Sequence, residues 1–129
     1  MKSNNIRNIR WGIIGLGKIA NKFATDLATV ENAELVAVAS RSKQNSNEFA
    51  TKYNAKKAYN SYLDLAKDTQ VDAIYIATPH SFHKEHAILC LQNKKAVLCE
   101  KPFAMNLQEV TEMITVAKEN NVLLMEALW

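Results

Sequence analysis

A glycine-rich turn directly after an apolar run is the feature that most restricts the fold of this chain. The run Trp11–Leu16 is short and largely apolar, as expected of a strand that is covered on both faces. Gly15 allows a tight bend from strand to helix, and Gly17 lets the backbone approach a bound anion. Ala20 takes the third small position, which serves close packing of helix on strand. The spacing predicts a phosphate group at the N-terminus of the helix. The residues predicted to bind it are Gly15, Leu16, Gly17, Lys18 and Ile19.

Apolar strands and amphipathic helices alternate along the rest of the chain. The predicted strands are Trp11–Leu16, Glu34–Ser40, Lys57–Tyr59, Ala73–Ala77, Ala96–Cys99 and Val122–Met125. The predicted helices are Lys18–Thr29, Gln44–Tyr53, Ser61–Lys67, Phe82–Asn93 and Leu107–Asn120. This alternation predicts the α/β class, with a doubly wound parallel sheet of the Rossmann dinucleotide-binding type. Ligands of such sheets lie beyond the carboxyl ends of the strands.

The last predicted helix has the clearest signals. Leu107, Val110, Ile114 and Ala117 share one face of it. Asn106 is the expected N-cap, and the carboxylate of Glu109 three residues later completes a capping box.

Composition limits the functions that such a domain can have. The chain has 129 residues, about one domain, and its first eight residues form a polar tail, so 9–129 is the predicted dinucleotide-binding domain. No apolar stretch approaches the ~20 residues of a membrane span. The net charge is +3 and the basic residues are scattered, which argues against nucleic-acid binding. Cys90 and Cys99 lack metal-site spacing and are expected to be reduced, buried thiols of a cytoplasmic protein.

The second predicted strand ends in Ser40-Arg41, where many dinucleotide-binding chains carry an acidic residue that holds the ribose hydroxyls. The guanidinium of Arg41 suits phosphate oxygens and can stack on adenine, and the hydroxyl of Ser40 can donate to the same group. The pair favours NADP, with NAD as the alternative. The competing interpretation makes Arg41 a solvated loop residue.

The fourth predicted strand is followed by Thr78-Pro79-His80, and the three histidines of the chain, His80, His83 and His86, recur every third residue. This spacing raises the possibility of a metal site, but no further ligand can be assigned, so no metal is predicted. His80 and His83 are expected to lie near the cofactor, where an imidazole can hydrogen-bond ribose or amide groups. His86 is expected to be a partly exposed helix residue.

The fifth predicted strand runs into Glu100-Lys101-Pro102. Proline keeps Lys101 out of helical geometry, so the backbone is extended where the strand ends, and the Lys101-Pro102 bond is a candidate for the cis form. From this edge a lysine can reach a substrate hydroxyl beside the nicotinamide and act on its proton. The competing interpretation is an ordinary surface lysine.

These motifs together resemble the Gfo/Idh/MocA-type oxidoreductases, the family of glucose–fructose oxidoreductase and inositol 2-dehydrogenase. The glycine turn, Ala77-Thr78-Pro79-His80, Glu100-Lys101-Pro102 and Glu126-Ala127-Leu128-Trp129 carry the resemblance, which covers the chain after Ile9. The ending and Val-Ala-Ser-Arg at 38–41 look most like the dihydrodiol dehydrogenase and NADP-dependent xylose dehydrogenase branch.

The resemblance implies hydride transfer between NAD(P) and a hydroxyl of a sugar, polyol or diol. It implies that Lys101 is the catalytic lysine, that Glu100 lies by the nicotinamide ribose, and that Thr78 and Pro79 line the cofactor cleft. It also implies a second, α+β substrate domain that is absent from this chain, so we expect an inactive fragment that is able to self-associate, from a homo-oligomeric parent. The alternatives are a non-catalytic NAD(P)-binding sensor or regulatory module, and an interaction domain that binds no nucleotide.

Overall fold

The computed structural model describes residues 8–127, in which six parallel strands form one sheet with helices on both faces. The strands are β1 (Ile9–Ile14), β2 (Ala33–Ala39), β3 (Lys57–Tyr59), β4 (Ala73–Ile76), β5 (Ala96–Glu100) and β6 (Leu124–Ala127). The helices are α1 (Lys18–Leu27), α2 (Lys43–Tyr53), α3 (Tyr62–Ala66), α4 (His83–Gln92) and α5 (Leu107–Asn120). A 3₁₀ turn, His80–Phe82, leads into α4.

The strand order β3-β2-β1-β4-β5-β6 confirms the predicted doubly wound sheet. Ile14 pairs with Ala39 on one side and with Ile76 on the other, and Ile76 pairs with Cys99. The carboxyl ends of β2, β1, β4 and β5 are therefore level at one edge of the sheet. The chain changes direction across the sheet between β1 and β4, which is where such folds bind ligands.

Each face of the sheet has its own apolar core. Helices α1 and α2 cover one face, where Phe23 stacks on the fully buried Tyr75 with ring centroids 4.0 Å apart. Helices α3, α4 and α5 cover the other, and Cys90 and Cys99 lie buried there as free thiols, as predicted. Burial raises the pKa of both thiols, that of Cys99 to about 12.

A polar cluster at the amino edge of the sheet closes the loop before β4. The Asp68 carboxylate, whose side chain is 3% exposed, accepts hydrogen bonds from Lys57 Nζ (3.0 Å), Tyr59 Oη (2.8 Å) and the Gln70 amide (2.8 Å). Burial acts to raise the pKa of Asp68, but the Gln70 amide and the two side-chain donors outweigh it and lower that pKa. The carboxylate form is therefore the one that the fold stabilises.

The boundaries of β6 differ from the prediction. This strand was predicted at Val122–Met125, but it covers Leu124–Ala127. The amide of Val122 is used instead to cap α5, since it donates to the Ala117 carbonyl at 3.1 Å behind the left-handed Asn121. The strand can begin only after this cap is complete.

The apolar face of α5 that the sequence pattern indicates is only partly buried. Leu107 is 80% exposed and Ile114 is 41% exposed, whereas Met113 is fully buried. The helix packs into the core with α4 through Met113 and Ala117, so its buried stripe is rotated from that face.

The N-cap of α5 is as predicted, with one change. The Glu109 amide donates to Asn106 Oδ1 at 3.0 Å, but the Glu109 carboxylate accepts from the Met105 amide rather than from that of Asn106.

Residues 1–7 of the predicted polar tail, and Leu128 and Trp129 of the closing motif, lie outside the described residues. Within 8–127, no helix has the length and apolar character needed to cross a bilayer.

Candidate functional site

An open cleft of about 940 Å³ lies at the carboxyl edge of the sheet, over the neighbouring ends of β1 and β4. Its walls come from the turn after β1, the loop after β2, the start of α3, and the segment from the end of β4 into α4. The lining residues are Gly15, Leu16, Gly17, Ser40, Arg41, Ser42, Asn45, Tyr62, Ala77, Thr78, Pro79, Phe82, Glu85 and His86.

The two glycines of the turn have different constraints. Gly15 has φ +89°, and a Cβ built on it would lie 2.7 Å from the Thr78 amide nitrogen and 2.8 Å from the Ala77 carbonyl carbon. A Cβ on Gly17 would meet no atom of the described residues within 4 Å. Gly15 is thus required by the protein backbone, whereas the space beside Gly17 is open to a ligand.

Helix α1 directs unpaired amides toward the same turn. Gly17 is its N-cap and provides no side-chain acceptor. The first backbone bond of the helix runs from the Asn21 amide to the Gly17 carbonyl (3.2 Å), so the amides of Lys18 and Ile19 precede it and have no acceptor within the helix. Such a helix start attracts anions through its N–H groups and its dipole.

The loop after β2 presents Arg41 on a framework held by serine hydroxyls. Ser40 Oγ donates to the Ser42 carbonyl (2.8 Å) and lies 2.9 Å from Oγ of the buried Ser46. Ser42 Oγ caps α2 by accepting from the Asn45 amide. Arg41 is exposed, lines the cleft and forms no ion pair within residues 8–127. The predicted direct contact between the Ser40 hydroxyl and a ligand stays a prediction.

Part of the cleft lining is an aromatic wall, Tyr62, Phe82 and His86, which sequence reasoning missed. His86 is 6% exposed, so its expected partial exposure is wrong. Its ring stacks on Phe82 (5.7 Å between centroids) and meets Tyr62 edge-on (4.7 Å). Burial lowers the pKa of His86. Burial also raises the pKa of Tyr62, although the positive charge of Arg41 acts to lower it. Phe82 and His86 thus form a stacked pair, Tyr62 stands edge-on to His86, and the charge of Arg41 reaches Tyr62.

Thr78 connects the end of β4 to α4 by its side chain and its backbone. The residue is buried, its Oγ1 lies 2.8 Å from His86 Nδ1, and its carbonyl oxygen lies 2.9 Å from His83 Nε2. Pro79 follows it at the surface of the cleft. This segment is the floor against which the Gly15 turn packs.

The two histidines predicted near the cofactor have different environments. His80 is exposed in the 3₁₀ turn. His83 lies below the cleft, 1% exposed, with Nδ1 2.7 Å from the Pro102 carbonyl oxygen and Nε2 against Thr78. Both nitrogens of His83 are thus occupied within the protein, and its predicted contact with a dinucleotide stays a prediction. Within 8–127, no three side chains of the metal-ligating types come together.

The turn after β5 carries an exposed Lys101, and the Lys101-Pro102 peptide bond is cis. The Tyr75 hydroxyl donates to Glu100 Oε2, and the Phe103 amide donates to Glu126 Oε2 at 2.9 Å. Because β5 is two strands from β1, this turn lies about 10 Å across the sheet edge from the glycine turn.

The cleft lining includes seven of the thirteen predicted site residues. These are Gly15, Leu16, Gly17, Ser40, Arg41, Thr78 and Pro79. The others belong to segments at the same edge of the sheet but are not part of the lining. They are Lys18, Ile19, His80, His83, Glu100 and Lys101.

A protein-family model described as GFO_IDH_MocA, an oxidoreductase family with an NAD-binding Rossmann fold, matches residues 9–128. The chain is 50% identical over 123 residues to trans-1,2-dihydrobenzene-1,2-diol dehydrogenase of Mus musculus, an alignment that covers 94% of the chain and 37% of the relative. It is 47% identical over 120 residues to an NADP(+) scyllo-inositol 2-dehydrogenase of Bacillus subtilis, covering 93% of the chain and 37% of the relative. The chain thus spans little more than a third of the length of these curated relatives.

The fold is similar to that of a solved 3-ketoreductase from Actinomadura kijaniata in complex with TDP-benzene and NADP. The TM-score is 0.90 at 30% identity, and the match covers 93% of this chain and 38% of that one. The fold class and the family predicted from the sequence are therefore confirmed.

Proposed function

The chain belongs to the GFO_IDH_MocA oxidoreductase family, and from this premise we propose that it is the dinucleotide-binding domain of a two-domain dehydrogenase. The reaction would move a hydride between NAD(P) and a hydroxyl-bearing carbon of a sugar, polyol or diol. The observation that carries the proposal is the cleft at the switch point of the sheet, with a backbone-restricted Gly15 and an unobstructed Gly17 side by side.

The residues of the cleft fit a dinucleotide. The start of α1 offers free amides to a pyrophosphate, and the missing side chain at Gly17 leaves room for it. The aromatic wall of Tyr62, Phe82 and His86 offers apolar ring surface to a base, including that of Phe82, which is 46% exposed. A bound nicotinamide would supply the hydride acceptor or donor, and the protein would supply binding and orientation.

Arg41 supports a preference for NADP over NAD. It is the exposed cation of the loop after β2, and that loop contains no carboxylate between Ser40 and Ser46 that could hold ribose hydroxyls in its place. A guanidinium pairs with phosphate oxygens through two parallel hydrogen bonds. The 2′-phosphate of NADP would thus bind at the mouth of the cleft.

Lys101 is the proposed catalytic group. It is exposed on a turn fixed to β4 and β6 through Glu100 and Phe103, so its backbone position is defined while its side chain is available. In the oxidative direction its amine would accept the proton of the substrate hydroxyl, and in the reductive direction its ammonium would return it.

The remaining proposals concern the whole enzyme. The substrate pocket and the oligomer contacts would lie outside the described residues, so this chain alone would bind the cofactor without turnover. Exposed apolar residues such as Leu123 (63%) and Met125 (52%) support self-association of the isolated chain. The free, buried cysteines support a reducing, cytoplasmic location.

Competitive titration of the 129-residue chain with NADPH and NADH tests the proposal. Arg41→Ala should weaken NADPH by about 10–100-fold, the loss of charge-assisted hydrogen bonds, and change NADH little. Lys43→Ala is the matched control, because this neighbouring lysine donates to the Ala58 carbonyl (2.6 Å) and is not part of the cleft lining. Equal losses for both dinucleotides would contradict the phosphate role, and no binding of either would reject the function.

A further inference from the structure

His83, the first residue of α4, joins two loops that serve different parts of the proposed reaction. Its Nε2 lies 2.9 Å from the carbonyl oxygen of Thr78, on the floor of the cleft. Its Nδ1 lies 2.7 Å from the carbonyl oxygen of Pro102, directly after Lys101. The ring is 1% exposed, so water does not compete for either contact.

Both partners of this ring are carbonyl oxygens, which only accept hydrogen bonds. A neutral imidazole carries one N–H and can satisfy one carbonyl, leaving the lone pair of its other nitrogen against the second. Lone pairs facing each other at such distances repel, and a buried polar atom without a donor is costly. The ring N–H therefore binds one of the two loops, through Nδ1 to Pro102 or through Nε2 to Thr78, while the buried ring stays packed against the other.

We propose that His83 is a positioning residue whose ring bridges the Thr78 and Pro102 carbonyls and so clamps the Lys101-Pro102 turn to the cofactor cleft. The functional half of this inference, the positioning of Lys101, rests on the proposed dehydrogenase function. The bonding half, the contacts of the His83 ring, is a property of the described structure alone. His83 itself touches no reacting atom in this account.

The clamp adds a contact between this turn and the loop after β4, whereas Glu100 is bound by Tyr75 within β4. The Phe103 amide is bound by Glu126 of β6, on the far side of β5. Cys99 Sγ lies 3.8 Å from the Phe103 carbonyl and contributes a weak contact within the turn itself. Without His83 the cleft keeps its lining, but the turn of Lys101 loses its contact with the Thr78 loop. A displacement of about 1 Å at a catalytic group costs about 100-fold in rate.

The chain offers a matched control one turn along α4. His86 is also buried and also contacts Thr78, but through the Thr78 side chain, and it lines the cleft instead of reaching the turn. His86→Ala should therefore weaken dinucleotide binding, whereas His83→Ala should lower kcat. A general loss of stability would not weaken binding in one variant and lower kcat in the other.

The bonding half is tested on the wild-type 129-residue chain by NMR of its histidine side chains with ¹⁵N labelling at pH 7. We expect a ring-bound proton on His83, assigned by its loss in His83→Gln, that is protected from exchange with water. A His83 ring without a protected proton would overturn the clamp. This measurement needs neither a ligand nor turnover, so it stands if the proposed function fails.

The functional half is tested by steady-state kinetics and NADPH titration of the whole enzyme. We expect His83→Ala to lower kcat about 100-fold while the Kd for NADPH changes by less than about tenfold. His83→Gln, which keeps one donor group, should lose less. If Lys101→Ala abolishes turnover but His83→Ala and His83→Gln keep wild-type kcat, the positioning role is wrong and the proposed function survives. If Lys101→Ala keeps full turnover, the proposed function itself fails.

Discussion

Gly15 and Gly17 of the β1–α1 turn provide the sharpest test of the cleft. Gly15 is required for folding of the turn, whereas Gly17 leaves space for a ligand. In Gly15→Ala, the new methyl group would lie 2.7–2.9 Å from backbone atoms of Ala77 and Thr78, at a φ of +89°. In Gly17→Ala, the methyl group would meet no described atom within 4 Å, at a φ of −85° that alanine adopts freely.

The expected losses differ in size and in kind. For Gly15→Ala, the left-handed conformation costs about 1–2 kcal/mol, and relief of the backbone contacts adds strain of about 1–3 kcal/mol. A total near 3 kcal/mol lowers the Tm of a domain of this size by about 10 °C. For Gly17→Ala, replacing glycine at an N-cap costs only about 0.5–1 kcal/mol, but a methyl group between the backbone and a phosphate oxygen removes about 10–100-fold in dinucleotide affinity.

Thermal unfolding monitored by circular dichroism and titration by NADPH fluorescence measure the two losses on the same samples. The reasoning requires Gly17→Ala to remain folded and to bind poorly. Wild-type affinity in Gly17→Ala would refute the assignment of the open space to a phosphate. A Tm of Gly15→Ala within about 2 °C of wild type would refute the steric account of the turn.

The described contacts support three more predictions. Lys101→Ala in the whole enzyme should abolish turnover and leave NADPH binding nearly unchanged, and equal turnover would discard the catalytic assignment. Because the pKa of Asp68 lies below its ordinary value of 3.8, its contribution to stability is complete above about pH 4 and is lost as pH falls through the lowered pKa. Asp68→Asn should lower the free energy of unfolding by about 1–3 kcal/mol at pH 7, measured by urea unfolding, and should reduce the loss of stability at acid pH. Asp64→Asn, a change at an exposed residue, should do neither. Cys90 and Cys99 should resist an aromatic disulfide reagent at pH 8 until the chain is denatured, because burial raises the pKa of both thiols; rapid reaction of the folded chain would contradict their burial.

The parts of the fold that the sequence predicts are those set by local chemistry. The bend at Gly15 needs a positive φ, the strands are short apolar runs, and the capping side chain of Asn106 precedes its helix. Parallel strands then bring their carboxyl ends to one edge, so the sequence alone is enough to group Arg41 with Thr78.

The parts that it does not predict depend on contacts between distant elements. The wall of Tyr62, Phe82 and His86 joins α3 to α4. The one sequence signal that drew attention to His86 was the recurrence of histidine at every third residue, 80, 83 and 86. The exposure of Leu107 follows from how α5 meets α4, which periodicity alone does not fix. The occupation of both His83 nitrogens likewise requires two loops that are 24 residues apart in sequence.

The most direct test of the central claim is a titration of the ¹⁵N-labelled chain with NADPH, followed through its backbone amide resonances. If the cleft binds the dinucleotide, the amides of Gly15, Gly17 and Thr78 shift in a saturable way. Those of Arg10 and Asp72, which lie at the amino edge of the same sheet, stay in place. Saturable shifts centred on the amino edge, or none at millimolar NADPH, would contradict the account.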